Sequence, residues 1–250
     1  MAYEKVTGIV IRYVNYRDND RILTIFTEEK GRVDAKARGC RRPKSPLLPC
    51  AQPFVFGEFQ LYAGKERYTI DQCDVRESFY PLREDVERLA AGYAMLALTQ
   101  TVIQQNQSNP GMFSALYHAL SFLCYGDTHA VDMVICFIVR FLETNGVCPA
   151  LTTCACCGES LLGARESRFS VIAGGAVCLA CAAEGNALFV ELLSLEAMRR
   201  MRRLADADMG RVKLPPAVRR ELLRLLTAYM EYTLDKPLPA LRTLENAGDI

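Results

Sequence analysis

Four cysteines in two close pairs are the residues of this chain best suited to a defined chemistry. Two residues separate Cys154 from Cys157 and Cys178 from Cys181, and twenty residues lie between the pairs. Each C-x-x-C turn can place two thiolates beside one ion, and two such turns complete the tetrahedral shell that zinc prefers. The spacing therefore predicts a closed, structural zinc site.

Two alternatives to this ligand set stay open. Cys156 is a further thiol inside the first pair and could replace Cys157 as a ligand. Gly158 favours Cys157, because a glycine after the second cysteine lets backbone N–H groups turn towards the sulfurs. A redox pair is the other alternative, but two pairs around a hairpin-like insert fit a metal site better. The six remaining cysteines lack paired spacing and are expected to be small apolar side chains.

A run of basic side chains is the second chemical feature. Residues 30–44 contain seven lysines and arginines and a single acid, Asp34, in a chain whose net charge is only +1. Gly39 and Pro43 keep this stretch irregular, and its cations are suited to phosphates. Tyr16 could add base stacking, whereas a solvated charged loop is the alternative. The candidate DNA-binding residues are Arg12, Arg32, Lys36, Arg38, Arg41, Arg42 and Lys44.

The elements that position these residues change type near residue 80. Before it, five short segments rich in β-branched and aromatic residues alternate with turn signals, at 6–14, 21–27, 32–38, 54–61 and 68–73. Five short strands predict a small barrel, and the oligonucleotide-binding (OB) barrel is the commonest fold of that kind. An unrelated small β-barrel, including an SH3-like one, is the alternative.

After residue 80 the apolar residues recur every three or four positions, which indicates helices. Asp127 is the expected N-cap of the third helix, and two later helices are expected at 194–207 and 215–234. Residues 234–250 are expected to form an extended tail with one short helical turn. The sequence thus predicts an α+β multidomain protein. An OB β-barrel in residues 1–80 precedes an all-helical domain in residues 81–250, which contains the four-cysteine zinc knuckle at about 150–185.

Composition and missing motifs narrow the function. Half of the residues are apolar and 24% are charged, which is typical of a soluble globular protein. The N-terminal residues lack the features of a signal peptide and no apolar run could span a bilayer, so we expect a cytoplasmic protein with reduced thiols. The chain has no P-loop, no G-x-G-x-x-G, no G-x-S-x-G and no carboxylate cluster. We therefore expect neither an enzyme nor a small-molecule substrate.

Several longer motifs point to a known family. They are TEEKGRV at 27–33, ARG at 37–39, PF at 53–54, ES at 77–78 and NGVCPAL at 145–151. The two cysteine pairs with Phe169, Gly174 and Gly175 between them, and Tyr229 with residues 234–241, complete the set. In these motifs the chain resembles the bacterial recombination mediator RecO family.

The resemblance implies an OB barrel followed by a helical domain with a zinc insert. It also implies a nucleoid-associated protein that binds single- and double-stranded DNA and anneals complementary strands without ATP. Its implied partners are RecR and the single-strand-binding protein, with which it loads recombinase.

Two other functions stay open. One is an RNA-binding zinc-ribbon protein. The other is an adaptor that binds acidic protein tails, not DNA, through its C-terminal basic helices.

Overall fold

The computed structural model describes residues 3–64, 67–183, 185 and 187–247. The chain forms two compact units, of which the first ends at Tyr125 and the second begins at Gly126. The division at residue 80, which follows the change from strands to helices, stays a prediction. Two long helices share the first compact unit with the barrel.

Five strands close into a barrel in the first unit, as the sequence predicts. They are β1 (Tyr3–Tyr16), β2 (Asp20–Thr27), β3 (Gly31–Ala37), β4 (Phe56–Ala63) and β5 (Tyr68–Glu77). Their order around the barrel is β1-β2-β3-β5-β4. The β3–β5 contact is parallel and the other pairings are antiparallel. This closed five-stranded arrangement is OB-like.

Alternation along β3 explains which of its side chains reach the surface. Gly31, Val33, Ala35 and Ala37 are buried, and the residues between them point outward. Residues 23–27 of β2 are instead buried on both sides, because a helix covers the outer face of this strand. The ring of Phe26 lies 5.4 Å from that of Phe113 on the second long helix.

Two long helices follow the barrel in the first unit, in the region after residue 80 where the apolar periodicity predicts helices. Helix α1 spans Val86–Val102, and Asp85 caps it by accepting hydrogen bonds from the backbone N–H groups of Glu87 and Arg88. Helix α2 spans Pro110–Tyr125. A 3₁₀ turn at Tyr80–Arg83 connects the barrel to these helices.

The second unit combines five helices with a small sheet in the part of the chain that is described. Its helices are α3 (Ala130–Thr144), α4 (Leu179–Ala182), α5 (Leu192–Arg202), α6 (Pro216–Leu234) and α7 (Pro239–Ala247). The sheet contains β6 (Arg168–Ser170), β7 (Gly175–Val177) and β8 (Leu188–Phe189), in the order β7-β6-β8. No described helix has the length and hydropathy needed to span a membrane.

Three local predictions in this unit are wrong. His129, not Asp127, caps α3, because its Nδ1 accepts a hydrogen bond from Val131 N at 3.2 Å. Helix α5 ends at Arg202, and the chain resumes as a 3₁₀ turn at Asp206–Arg211. The C-terminal segment contains the nine-residue helix α7 and not a single short turn.

Candidate metal centre and nucleic-acid surface

The four paired cysteines meet in one cluster. The sulfur atoms of Cys154, Cys157, Cys178 and Cys181 all lie within 4.8 Å of one another, and the Cys157–Cys178 Sγ distance is 3.8 Å. A tetrahedral zinc ion with Zn–S bonds of about 2.3 Å needs sulfurs about 3.8 Å apart. The donor set therefore fits a four-thiolate metal ion.

A backbone turn from Cys154 to Gly158 builds the first half of this cluster. Gly158 has φ 77°, in the left-handed region, and its N–H donates to Cys154 O at 2.9 Å. This turn allows N–H groups to face the Cys154 sulfur, to which Cys178 N also donates at 3.4 Å. Burial opposes ionisation of this thiol, but the N–H groups of Cys157, Cys178 and Cys156 outweigh it and lower its pKa to about 6. Cys154 is therefore ready to bind metal as a thiolate at neutral pH.

A hairpin brings the second pair to the first. Strands β6 and β7 are antiparallel, with Phe169 opposite Ala176, and Cys178 follows β7 directly. Two backbone hydrogen bonds from the first knuckle region fix this hairpin, since Ala155 N donates to Ala176 O at 2.8 Å and Ala176 N donates to Ala150 O at 2.7 Å. Gly175 is required here, because a Cβ at this position would lie 2.4 Å from Ala150 O.

Cys156 is exposed and lies outside the four-sulfur cluster. The geometry thus favours Cys157 over Cys156 as the fourth ligand, in agreement with the argument from Gly158. The other six cysteines are buried or half-buried.

The basic loop, defined as residues 38–50, is hydrogen-bonded to the β1–β2 turn. Arg41 donates through its backbone N to Asn19 O and through Nη1 to Asp18 O, each at 3.0 Å. Gly39 N donates to Asp20 Oδ1 at 2.7 Å. Apolar side chains of the loop are buried in the barrel core, namely Cys40, Leu47 and Cys50. These contacts hold the loop while its charged groups face solvent.

The structure divides the seven candidate DNA-binding residues into two groups. Arg32 is paired with Asp34 at 2.9 Å, and Lys36 is paired with Asp20 at 2.9 Å. The other five are exposed and have no carboxylate within ion-pair distance among the described residues, and they are Arg12, Arg38, Arg41, Arg42 and Lys44. The second group is therefore the better candidate for phosphate contacts.

The Asp20 carboxylate belongs to this surface although the sequence did not single it out. The Gly39 N–H, together with Lys36, holds the pKa of Asp20 below its usual range. The strand register places Asp20 opposite Tyr16. Its contact with the chain after β3 is long-range, so only the fold brings these groups together.

These features define a class of protein. Its members combine an OB-like barrel that carries an exposed cationic loop with a helical unit that holds a cluster of four cysteines suited to a metal ion. The family model described as recombination protein O N terminal matches residues 1–79, and recombination protein O C terminal matches residues 83–242. The chain therefore belongs to the RecO family, which confirms the resemblance seen in its motifs.

Curated relatives align with almost the whole chain. It is 33% identical over 237 residues to the DNA repair protein RecO of Acetivibrio thermocellus, covering 94% of each chain. It is 34% identical over 233 residues to the protein of that name from Exiguobacterium sp., covering 91% of this chain and 90% of the relative. The relative from Alkaliphilus metalliredigens is 30% identical over 93% of this chain and 94% of its own length. These relatives support a role in DNA repair and recombination.

Proposed function

We propose that this protein is a non-enzymatic mediator of DNA repair that binds single- and double-stranded DNA and anneals complementary strands without ATP. We further propose that it helps to load recombinase onto DNA coated with single-strand-binding protein. The observation that carries the proposal is the basic loop, whose exposed Arg38, Arg41, Arg42 and Lys44 have no carboxylate partner among the described residues.

The charges of this loop account for annealing without nucleotide hydrolysis. Cations that neutralise phosphates release counterions and hold a strand at the surface. A second strand is attracted to the same cations, and repulsion between the two backbones falls. Base pairing then supplies the free energy of the reaction.

The metal and the partners form part of the proposal. Zinc is the proposed ion for Cys154, Cys157, Cys178 and Cys181, where it would link the two knuckles and have no part in the DNA chemistry. RecR and the single-strand-binding protein are carried over from the family resemblance, as is a cytoplasmic, nucleoid-associated location. The proposed domains are the barrel in residues 1–80 and the helical domain in residues 81–250.

The test is annealing of two complementary oligonucleotides, each coated with single-strand-binding protein, in the absence of ATP. The protein should accelerate annealing, and the acceleration should weaken as the salt concentration rises. Absence of acceleration by the folded, metal-loaded protein would overturn the proposal. Tighter binding to RNA than to DNA of the same sequence would support the RNA-binding alternative.

A matched pair of double variants locates the DNA-binding surface. Replacing Arg41 and Arg42 with alanine should reduce the salt dependence of single-strand affinity by about 0.7 for each lost phosphate contact. Replacing Arg220 and Arg224, two exposed arginines of α6, should leave it unchanged. The reverse result would assign DNA binding to the C-terminal basic helices.

A further inference from the structure

The second half of β1 projects beyond the barrel core. Residues 8–11 of this strand are buried, but every residue from Arg12 to Tyr16 is exposed. A strand with one face on a core alternates between buried and exposed side chains, so exposure at five successive positions means that both faces are open to solvent. We call residues 12–22 the projecting hairpin, since Arg12–Tyr16 pairs with the start of β2.

One aromatic ring on this hairpin is held against an unpaired cation. The guanidinium carbon of Arg21 lies 3.8 Å from the centre of the Tyr13 ring. Arg21 Nη1 donates to Ala51 O at 2.6 Å and Nε donates to Asn15 Oδ1 at 3.4 Å, which fixes the guanidinium. Arg21 makes no ion pair with a described carboxylate. Its charge is thus available to a phosphate.

Tyr13 is 38% exposed, although Arg21 lies over its ring. A tyrosine whose orientation is already fixed offers a large flat surface at a low entropic cost. Bases of a single strand stack on such rings in a sequence-tolerant way, and a neighbouring arginine adds attraction for the backbone. The basic loop lies beside the hairpin turn, because Arg41 donates hydrogen bonds to the backbone carbonyls of Asp18 and Asn19.

Tyr16 is the less suitable ring on the same hairpin. Its nearest cation is Lys36, at 4.8 Å, and Lys36 is neutralised by Asp20. The second cation, Arg17, is 5.3 Å away. Of these cations, Arg21 lies closest to a ring, and it makes no ion pair with a described carboxylate.

We propose that Tyr13, backed by Arg21, is a base-stacking site for single-stranded DNA. This inference rests on the proposed function and deepens it, since it makes the unpaired strand the preferred ligand of the barrel. Bases in a duplex are stacked on one another and cannot insert against the ring. Phosphate contacts, in contrast, are available in both forms of DNA.

The chain contains no tryptophan, so Tyr13→Trp introduces a single fluorescent reporter at the site. Its emission should be quenched by an oligothymidine and not by an oligonucleotide of equal length that carries abasic residues. The two ligands have the same number of phosphates and differ in their bases. The stacking site would be overturned if both oligonucleotides quench the emission equally. It would also be overturned if oligothymidine binds without quenching it.

Affinity measurements are the second test of the stacking site. Tyr13→Ala should weaken single-strand binding about tenfold, within the range for loss of one stacked base, and change duplex affinity less than twofold. Tyr13→Phe should bind single strands as the parent protein does. Tyr3→Ala, which removes a 59%-exposed ring at the other end of the same strand, is the control and should have no effect. An equal loss for single strands and duplex in Tyr13→Ala would overturn the stacking role.

The two proposals fail in different ways. If the parent protein binds the abasic ligand as well as the oligothymidine, and Tyr13→Ala matches the parent, the stacking site is wrong while DNA binding stands. If neither ligand binds the parent protein, the proposed function is itself wrong.

Discussion

The side chains of Asp132 and Arg219 are joined by two hydrogen bonds inside the second unit. Arg219 Nε donates to Asp132 Oδ1 at 2.6 Å, and Nη2 donates to Oδ2 at 3.1 Å. The Asp132 side chain is only 1% exposed, and its Oδ2 also accepts a hydrogen bond from Leu214 N at 3.0 Å. Because a buried charge is stable only when it is paired, this contact fixes the register between α3 and α6.

Arg219→Ala should therefore lower the free energy of unfolding by about 3–5 kcal/mol, the cost of leaving a buried carboxylate without its partner. Urea unfolding followed by far-UV circular dichroism measures the change. Lys213→Ala breaks the solvent-exposed Lys213–Asp127 pair and should leave the midpoint unchanged. Equal effects of the two variants would contradict the assigned role of burial.

Gly92 on α1 is a site where two effects of known size compete. A Cβ at this position would lie 2.9 Å from Cε1 of Phe54, whose ring is fully buried. Gly92→Ala gains about 1 kcal/mol of helix propensity, but overpacking a core costs about 1–3 kcal/mol. We expect a net loss of stability, measured by thermal unfolding. In a Phe54→Leu background the clash is removed, so the same Gly92→Ala change should be neutral or stabilising. A stabilising effect in the parent chain would show that the ring can move.

Asp20 makes the stability of the first unit depend on pH. The Gly39 N–H and Lys36 lower its pKa in the folded state, whereas its unfolded value is about 3.9. The carboxylate thus contributes stability that is complete above about pH 4 and is lost as the pH falls through the folded-state pKa. Asp20→Asn should be less stable than the parent at neutral pH, and the difference should shrink in acid.

Unfolding curves at several pH values test this expectation. Glu4 also has a lowered pKa, chiefly because of its hydrogen bond from Lys30, so the variant should retain part of the acid sensitivity. Asp71→Asn alters an exposed aspartate of β5 and should follow the parent curve. A constant difference between Asp20→Asn and the parent at every pH would contradict the linkage.

The metal site makes a prediction about individual thiols. Each chain should bind one zinc ion, and Cys157→Ser should abolish stoichiometric binding because it removes one corner of the four-sulfur cluster. Cys156→Ser should retain the ion, since that thiol lies outside the cluster. Metal analysis of the purified proteins distinguishes these results. Loss of zinc in Cys156→Ser with retention in Cys157→Ser would reverse the ligand assignment.

Removal of zinc by a chelator should melt the β6–β7 hairpin, since binding of a structural zinc ion is coupled to folding. Hydrogen exchange at Phe169 and Ala176, which face each other across this hairpin, should increase after chelation. Exchange in the buried helix α3 is the internal reference. Unchanged exchange in the hairpin would mean that the backbone hydrogen bonds to Ala150 hold it without the metal.

Local patterns in the sequence were enough to predict the barrel and the cysteine cluster. The spacing of Cys154 and Cys157 predicts a metal-binding turn from four residues alone, and the alternation around Val33 marks a half-buried strand. The ion pairs could not be predicted from such local patterns. Lys36 meets Asp20 only because β2 and β3 are in a particular register.

The same limit applies to the candidate stacking site. Nothing in the sequence around Tyr13 indicates that β1 extends past the barrel core, and the contact with Arg21 depends on the β1–β2 register. The Gly92–Phe54 contact could not be predicted from the sequence either, because Phe54 adopts a φ of 73°, which an apolar residue rarely does. Long-range contacts of this kind depend on the whole fold.

The division of the basic residues leads to a test with two arginines that differ in pairing. Arg42 is exposed and lacks a described carboxylate partner, whereas Arg32 is paired with Asp34 through both Nη2, at 2.9 Å, and Nε, at 3.1 Å. The positive charge of Arg32 is already balanced by Asp34, so Arg32 attracts a phosphate less strongly than Arg42 does. A cation that is already neutralised also displaces fewer of the counterions condensed on the DNA. Arg42→Ala should therefore reduce the salt slope of single-strand binding by about 0.7.

Arg32→Ala should leave that slope within error of the parent value. Its affinity at a single salt concentration should fall at most slightly, because the mutation exposes the negative charge of Asp34. Binding measured at four or more salt concentrations separates the slope from the intercept. Equal slope changes in the two variants would mean that DNA breaks the Arg32–Asp34 pair, and that the contact surface extends from the basic loop onto the outer face of β3.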